Sequence, residues 1–195
     1  GGYFLTGYIT PYPVLYSDIG VVKLDSGGNV QWNIDLGGSS NETVRCIEGT
    51  PDGGCILIAR TTSNDGDVSG NHGADDAWVV KLDSAGGLEW QRCYGGSLAE
   101  VGWSITRTMD GGYVFAASSL SSDGDVSQNL GANDVWLVKV DSVGAILWEQ
   151  SFGGTWSENP FDLALTSDGG YVIAARTSSN DGDVSGLHGD EDAWI

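Results

Sequence analysis

Four short apolar runs recur along the chain, and residues 104–108, 113–118, 135–141 and 145–152 show them most fully. Each is strand length, rich in Val, Ile and aromatic residues, and bounded by Gly, Asp or Ser. None reaches the length of an ordinary helix. The first pair is joined by MDGG and the second by DSVG, in which glycine accepts the positive φ of a tight hairpin turn. Runs such as AWVVKL and VWLVKV are apolar at nearly consecutive positions instead of alternating, so both faces of the resulting sheets are expected to be covered.

The runs belong to a repeat with a step of 58 residues. DGG starts at Asp52, Asp110 and Asp168, and DGDVS at Asp65, Asp123 and Asp181. Trp32, Trp90 and Trp148 form one column, Trp78, Trp136 and Trp194 a second, and Glu42, Glu100 and Glu158 a third. Columns so different in chemistry do not share a step by accident. Each repeat is read as two hairpins forming one four-stranded antiparallel sheet, and a tandem series of such sheets as an all-β β-propeller. A β-solenoid, with shorter units, is the competing architecture.

DGGYVIAARTSSNDGDVSG, followed by DAWVVKLDSAG, resembles the tandem-repeat β-propellers of secreted and cell-surface prokaryotic proteins, over essentially the whole chain. KLDSAGGLEW, KVDSVGAILW and KLDSGGNVQW resemble the tryptophan-docking turns of quinoprotein-type propellers. That resemblance implies a packing role for Trp32, Trp90 and Trp148 and does not imply a quinone. On this reading the chain is one propeller segment: a partial blade at residues 1–38, blades at 39–96 and 97–154, and a partial blade at 155–195. Fourteen strands are expected, in an incomplete ring belonging to a propeller of about six to eight blades. The alternative is a chain that closes its ring, or builds an array, by pairing with other copies of itself.

The formal net charge is −19. Such a surface repels nucleic acid and anionic lipid, so neither is an expected partner. It attracts cations, or it keeps a protein soluble in a salty or extracellular medium. Cys46, Cys55 and Cys93 are an odd number at unrelated spacings and imply neither a disulfide framework nor a zinc site. Cys46 and Cys55 would lie diagonally across one hairpin, as a pair or as ordinary buried thiols. No apolar run approaches a membrane-spanning length, so no membrane insertion is expected. A chain opening GGYFLTGY without Met reads as excised, and a secreted or cell-surface location is expected from resemblance and acidity.

The acidic loop between the second and third strands is the main candidate for chemistry. Counting from Asp65, Asp67 and Ser69 fall at positions 3 and 5, Gly70 at 6 and Asp76 at 12. This is the spacing of a calcium loop, in which alternate oxygens turn inward around one hard cation. The expected Ca2+ ligands are Asp65, Asp67, Ser69 and Asp76; Asp123, Asp125, Ser127 and Asp134; and Asp181, Asp183, Ser185 and Asp192, one ion per loop. Asn71, Asn129 and Leu187 supply main-chain carbonyls. With no flanking helices, the loop resembles those of integrin-type blades more than an EF-hand. Gln128 replaces the glycine, which predicts a costlier bend in the middle copy. The competing reading is a set of Asx-turns and backbone caps without metal. ITPYPVLYSDIGVVKLD lacks DGDVS yet keeps Asp18 in the Asp76 column, which assigns that column either to metal or to amides at the start of the third strand.

The His72 column holds Leu130 in the middle copy, so a histidine base or transition-metal site is not expected. The Glu42 column is expected to accept the amides of the preceding Gly-Gly turn, and Lys23, Lys81 and Lys139 to snorkel or pair with carboxylates. A catalytic centre needs one asymmetric set of groups, whereas these groups come once per repeat. The expected function is therefore a non-enzymatic, calcium-stabilised extracellular scaffold that recognises a glycan or protein. Two alternatives stand beside it: a propeller enzyme whose site lies in further blades, and a self-assembling fibre or surface-layer subunit. Residues outside the repeat pattern are Arg45, Arg92, Arg107, Trp103 and Trp156.

Overall fold

A computed structural model describes residues 1–10 and 16–195. Among these the protein is all-β, with fourteen strands in four antiparallel sheets, none closed into a barrel. The first sheet contains β1 (Gly2–Ile9), β2 (Asp18–Asp25) and β3 (Val30–Leu36). The second contains β4 (Glu42–Gly49), β5 (Cys55–Thr61), β6 (Asp76–Leu82) and β7 (Leu88–Tyr94). The third contains β8 (Glu100–Arg107), β9 (Tyr113–Ser119), β10 (Asp134–Val140) and β11 (Ile146–Phe152). The fourth contains β12 (Glu158–Leu165), β13 (Tyr171–Thr177) and β14 (Asp192–Trp194). In every sheet strands adjacent in sequence are adjacent in space, the meander expected of two consecutive hairpins. The short connection before β2, which lacks DGDVS, includes residues 11–15, outside the described residues.

Successive sheets pack on one another, with β4 on β1, β8 on β4 and β5, and β12 on β8 and β9. This explains the unbroken apolar runs. Along β5 and β6, Cys55, Leu57, Ala59, Trp78, Val80 and Leu82 join one core with Ile19 and Val21 of the first sheet. The alternate residues Ile56, Ile58, Ala77 and Val79 join another core with Ile105, Phe115 and Trp136 of the third. A sheet sandwiched on both sides has no polar face. Phe115 sits at the middle of the second core, 5.1 Å from the Tyr94 ring and 5.9 Å from that of Trp136.

The docking tryptophans bridge consecutive sheets. Trp32 Nε1 donates to the Ser84 carbonyl at 3.0 Å, and Trp90 Nε1 to that of Ser142 at 3.1 Å. Gly86, at φ +87°, lies beneath the first indole, where an added Cβ would come within 3.1 Å of Trp32 Cδ2. Positive φ and close approach both call for glycine in that turn.

One boundary differs from expectation by more than one residue. The strand expected at residues 104–108 runs from Glu100 to Arg107, because a β-bulge lies within it between Gly102 and Ser104. A glycine followed by an extra unpaired residue hides the alternation that marks a strand.

Phe115→Ala is expected to lower unfolding free energy by about 3–5 kcal/mol, since the fully buried ring leaves a cavity between two sheets. Chemical denaturation followed by tryptophan fluorescence measures this.

Candidate functional site

The acidic loops fold back onto the connection between their own sheet and the preceding one. Val68, Val126 and Val184 of the three DGDVS stretches are buried and pin each loop down. Asp65 Oδ1 accepts the Ser39 amide at 2.8 Å, Asp123 Oδ1 that of Ser97 at 2.8 Å, and Asp181 Oδ1 that of Thr155 at 2.7 Å. Asp67, Asp125 and Asp183 accept the amides of Gly37, Gly95 and Gly153 at 3.2, 3.3 and 3.2 Å. Their own amides donate back to the carbonyls of the same glycines at 2.9 Å. The two backbones nearly touch: a Cβ on Gly66 would sit 2.5 Å from the Gly37 oxygen.

Hydrogen bonds also engage side chains and amides of other expected ligand residues. Ser69 Oγ takes a hydrogen bond from Gln91, and Asn71 Oδ1 accepts the Gly73 amide at 2.9 Å. Asn129 Oδ1 accepts the Gly131 amide at 2.9 Å, and the Leu187 amide donates to Asn180 Oδ1 at 3.2 Å. Asp76 Oδ2 accepts the amide of His72 at 3.0 Å and faces its Nδ1 at 2.7 Å; Asp134 Oδ2 accepts the Leu130 amide, and Asp192 Oδ2 that of His188 at 2.6 Å. Ser127 and Ser185 follow their aspartates in the same stretches as Ser69. The loop oxygens thus spread over backbone amides of two connections, and among the described residues no group of three or more His, Cys, Asp or Glu is placed to hold a metal ion.

Gln128 has no positive φ, whereas Gly70 and Gly186 lie at +86° and +83°, so the middle loop takes another path and avoids the bend's expected cost. The partner substitution is legible beside it. Asn64 and Asn180 accept the amides of Gly70 and Gly186, and Ser122 stands in the same column where glycine is lost.

The glutamate column forms the floor of each junction. Glu42, Glu100 and Glu158 open β4, β8 and β12 and are fully buried. Glu100 accepts the Gly96 amide at 2.7 Å, the Ser119 hydroxyl at 2.7 Å and the Ser121 amide at 3.1 Å. Glu42 and Glu158 bind Gly38 and Thr61, and Gly154 and Thr177, in the same way. Asp76 Oδ1 and Asp134 Oδ1 lie beside these glutamates over Gly95 and Gly153, buried and without a hydrogen-bond partner. Burial pushes the Asp134 carboxyl up to about 6, reinforced by Glu158 and Asp183 and opposed by the Leu130 amide. Burial likewise raises Asp76.

The lysine column behaves as expected: Lys81 Nζ lies 2.9 Å from Asp52 and 2.8 Å from Glu89, and Lys139 Nζ 3.0 Å from Asp110. Lys23 donates to the carbonyls of Gly53 and Ser84. The three thiols are unpaired, and burial pushes Cys55 and Cys93 up to about 12, unsuited to nucleophilic work.

Sequence reading missed the bulges in the edge strands β4, β8 and β12. Each has one bulge, between Val44 and Cys46, Gly102 and Ser104, and Pro160 and Asp162. The extra residues are Arg45, Trp103 and Phe161, one column of the repeat with three different chemistries. They stack: the Arg45 guanidinium lies 4.5 Å from the Trp103 ring centre, and Phe161 meets that indole edge-on at 5.5 Å.

No family model matches the chain. A stretch of 93 residues, 46% of the chain, is 32% identical to the regulatory protein FlaEY of Caulobacter vibrioides, of which it covers 10%. The chain therefore spans about a tenth of the length of this curated relative. The structure resembles a crystal structure of a protein of unknown function from Bacteroides caccae, with a TM-score of 0.50 and 14% identity, over 80% of this chain and 48% of that one. At that identity the likeness concerns the fold alone.

Asp65 and Asp67 each spend one carboxylate oxygen on an amide, so calcium is tested by differential scanning calorimetry: a melting midpoint several degrees higher in millimolar calcium than in chelator is expected if the loops hold the ion, and an unchanged midpoint overturns that expectation. A pH effect is also expected at Asp134. Below about pH 4 its carboxyl is protonated both folded and unfolded; between about pH 4 and 6 only the unfolded chain releases the proton, so stability falls. Asp134→Asn is expected to gain about 2–3 kcal/mol on the unsubstituted chain between pH 4 and 8, read from urea melts at each pH.

Proposed function

We propose that the chain is a segment of a β-propeller that serves outside the cell as a non-enzymatic scaffold for recognising a glycan or a protein. Four meander sheets packed face to face in series, with tryptophans reaching across to the next sheet's hairpin turn, support the propeller reading. The observation that carries the functional reading is the threefold use of the acids. The groups best suited to acid–base chemistry, Glu42, Glu100 and Glu158, spend their oxygens on backbone amides and hydroxyls, identically at each junction. Groups so engaged are not free to exchange protons with a substrate.

The non-repeated side chains stand on the bulged edge strands, where change leaves the junctions intact. An extracellular setting agrees with the net charge of −19, which keeps a repeat protein dispersed.

A screen of the intact chain against arrayed glycans and extracellular proteins, with mass spectrometry of whatever binds, tests this. Binding that leaves the bound molecule chemically unchanged is the expected outcome. Recovery of a cleaved or oxidised product would replace the scaffold with an enzyme.

A further inference from the structure

We propose that a calcium ion seats between Asp76 Oδ1 and Glu100 Oε2, and a second between Asp134 Oδ1 and Glu158 Oε2, each clamping two consecutive sheets together. The inference concerns the junctions and is independent of what the scaffold recognises.

The first argument is an unmet oxygen. Asp76 and Asp134 are fully buried, and Oδ1 of each has no hydrogen-bond partner. Oδ2 of each is taken by an amide, that of His72 or of Leu130. A charged oxygen stripped of water and left unpaired is costly. The same oxygen is unmet at both junctions, so the need is built into the repeat.

The second argument is what faces that oxygen. An added Cβ at Gly95 would lie 2.5 Å from Glu100 Oε2 and 3.0 Å from Asp76 Oδ1, so the two oxygens converge on one point. Gly153 is met in the same way by Asp134 Oδ1 and Glu158 Oε2, and Gly37 by Asp18 Oδ1 and Glu42 Oε2. Two anionic acceptors turned to one point repel each other. Among the described residues, neither Asp76, Asp134, Glu100 nor Glu158 forms an ion pair with lysine or arginine. Burial first, then the charges of Glu158 and Asp183, disfavours the ionised form of Asp134. A cation at this point reverses both effects.

The third argument is the donor set and its place in the fold. Carboxylate oxygens select a hard cation, and the paired charges of Asp and Glu match a divalent one. Two such side chains define each site, with no third His, Cys, Asp or Glu placed to join them among the described residues. Calcium's flexible shell of oxygens accepts two carboxylates and is completed by water. Asp76 opens β6 of the second sheet and Glu100 opens β8 of the third; Asp134 opens β10 of the third and Glu158 opens β12 of the fourth. Each ion therefore bridges two sheets. Asp76 Oδ1 meets the connection after its own sheet, whereas Asp65 and Asp67 meet the connection before it. The ligands thus come from successive repeats and not from one loop.

Isothermal titration of the intact chain with calcium chloride, paired with differential scanning calorimetry, tests the assignment. A saturable heat is expected, with a melting midpoint several degrees higher in calcium than in chelator. Asp134→Asn should lower the stoichiometry by one ion per chain, and Asp76→Asn combined with it should remove most of the calcium-dependent rise. In chelator Asp134→Asn is expected to melt no lower than the unsubstituted chain, because a carboxamide is cheaper to bury, so lost binding is not lost folding. Replacing Ser69, Ser127 and Ser185 together by alanine should leave the stoichiometry unchanged. No saturable calcium heat, an unaltered stoichiometry in Asp134→Asn, or loss of ions in the serine variant would overturn the junction sites.

Discussion

A fully buried carboxylate must be surrounded by partners for its oxygens, and that demand at Glu42, Glu100 and Glu158 organises this protein. Stripping a charged carboxylate of water costs several kcal/mol, and directed N–H and O–H groups offset it here. Those donors come from three places: the Gly-Gly connection arriving from the preceding sheet, the hydroxyl ending the second strand, and, at Glu100, the amide that begins the acidic loop. Satisfying one side chain therefore fixes the chain path between sheets. It also explains the glycines. An added Cβ at Gly95 would lie 2.5 Å from Glu100 Oε2 and 3.0 Å from Asp76 Oδ1, so a side chain there would fill the space the carboxylates occupy.

The acidic loop completes the same junction from above. Its first aspartate caps the amide after the Gly-Gly pair, its second exchanges hydrogen bonds with the first glycine, and its valine enters the core between sheets. Negative charge is concentrated at a place where backbone N–H groups converge, a partial positive surface made by the fold without any lysine or arginine. Alternation of aspartate and serine is common to a cation cage and to a loop that binds amides, since both need oxygens turned inward. Spacing alone does not separate them, and the fold adds the amides that the carboxylates meet.

How much was legible follows from the same physics. The repeat, the hairpins and the two-sided burial were open to reading, because residue type and period express them directly: Trp78 and Trp136 recur at the same step in runs with no polar face. The start of β8 was not, since Gly102 and the unpaired Trp103 break the period that reveals a strand. The amide contacts of the glutamates were foreseen, but not that Glu100 opens a strand and is fully buried. The middle loop's different path was written in the sequence as a paired change, Ser122 with Gln128 in place of Asn with Gly. Only the Asn64 hydrogen bond to the Gly70 amide shows why the two positions travel together.

Repetition and individuality are carried by different parts of each sheet. The junction acids, the docking tryptophans and the core alternate with fixed spacing, and each is held by partners in two sheets, so changing one disturbs a neighbour as well. The bulge residue has no such obligation. It is unpaired in the ladder and stands at an edge, so arginine, tryptophan and phenylalanine occupy it in successive sheets without altering the frame. Yet the three positions remain in contact, because successive edge strands lie side by side. A repeat that is rigid at its junctions and free at one contiguous column can vary that column from sheet to sheet while keeping its fold.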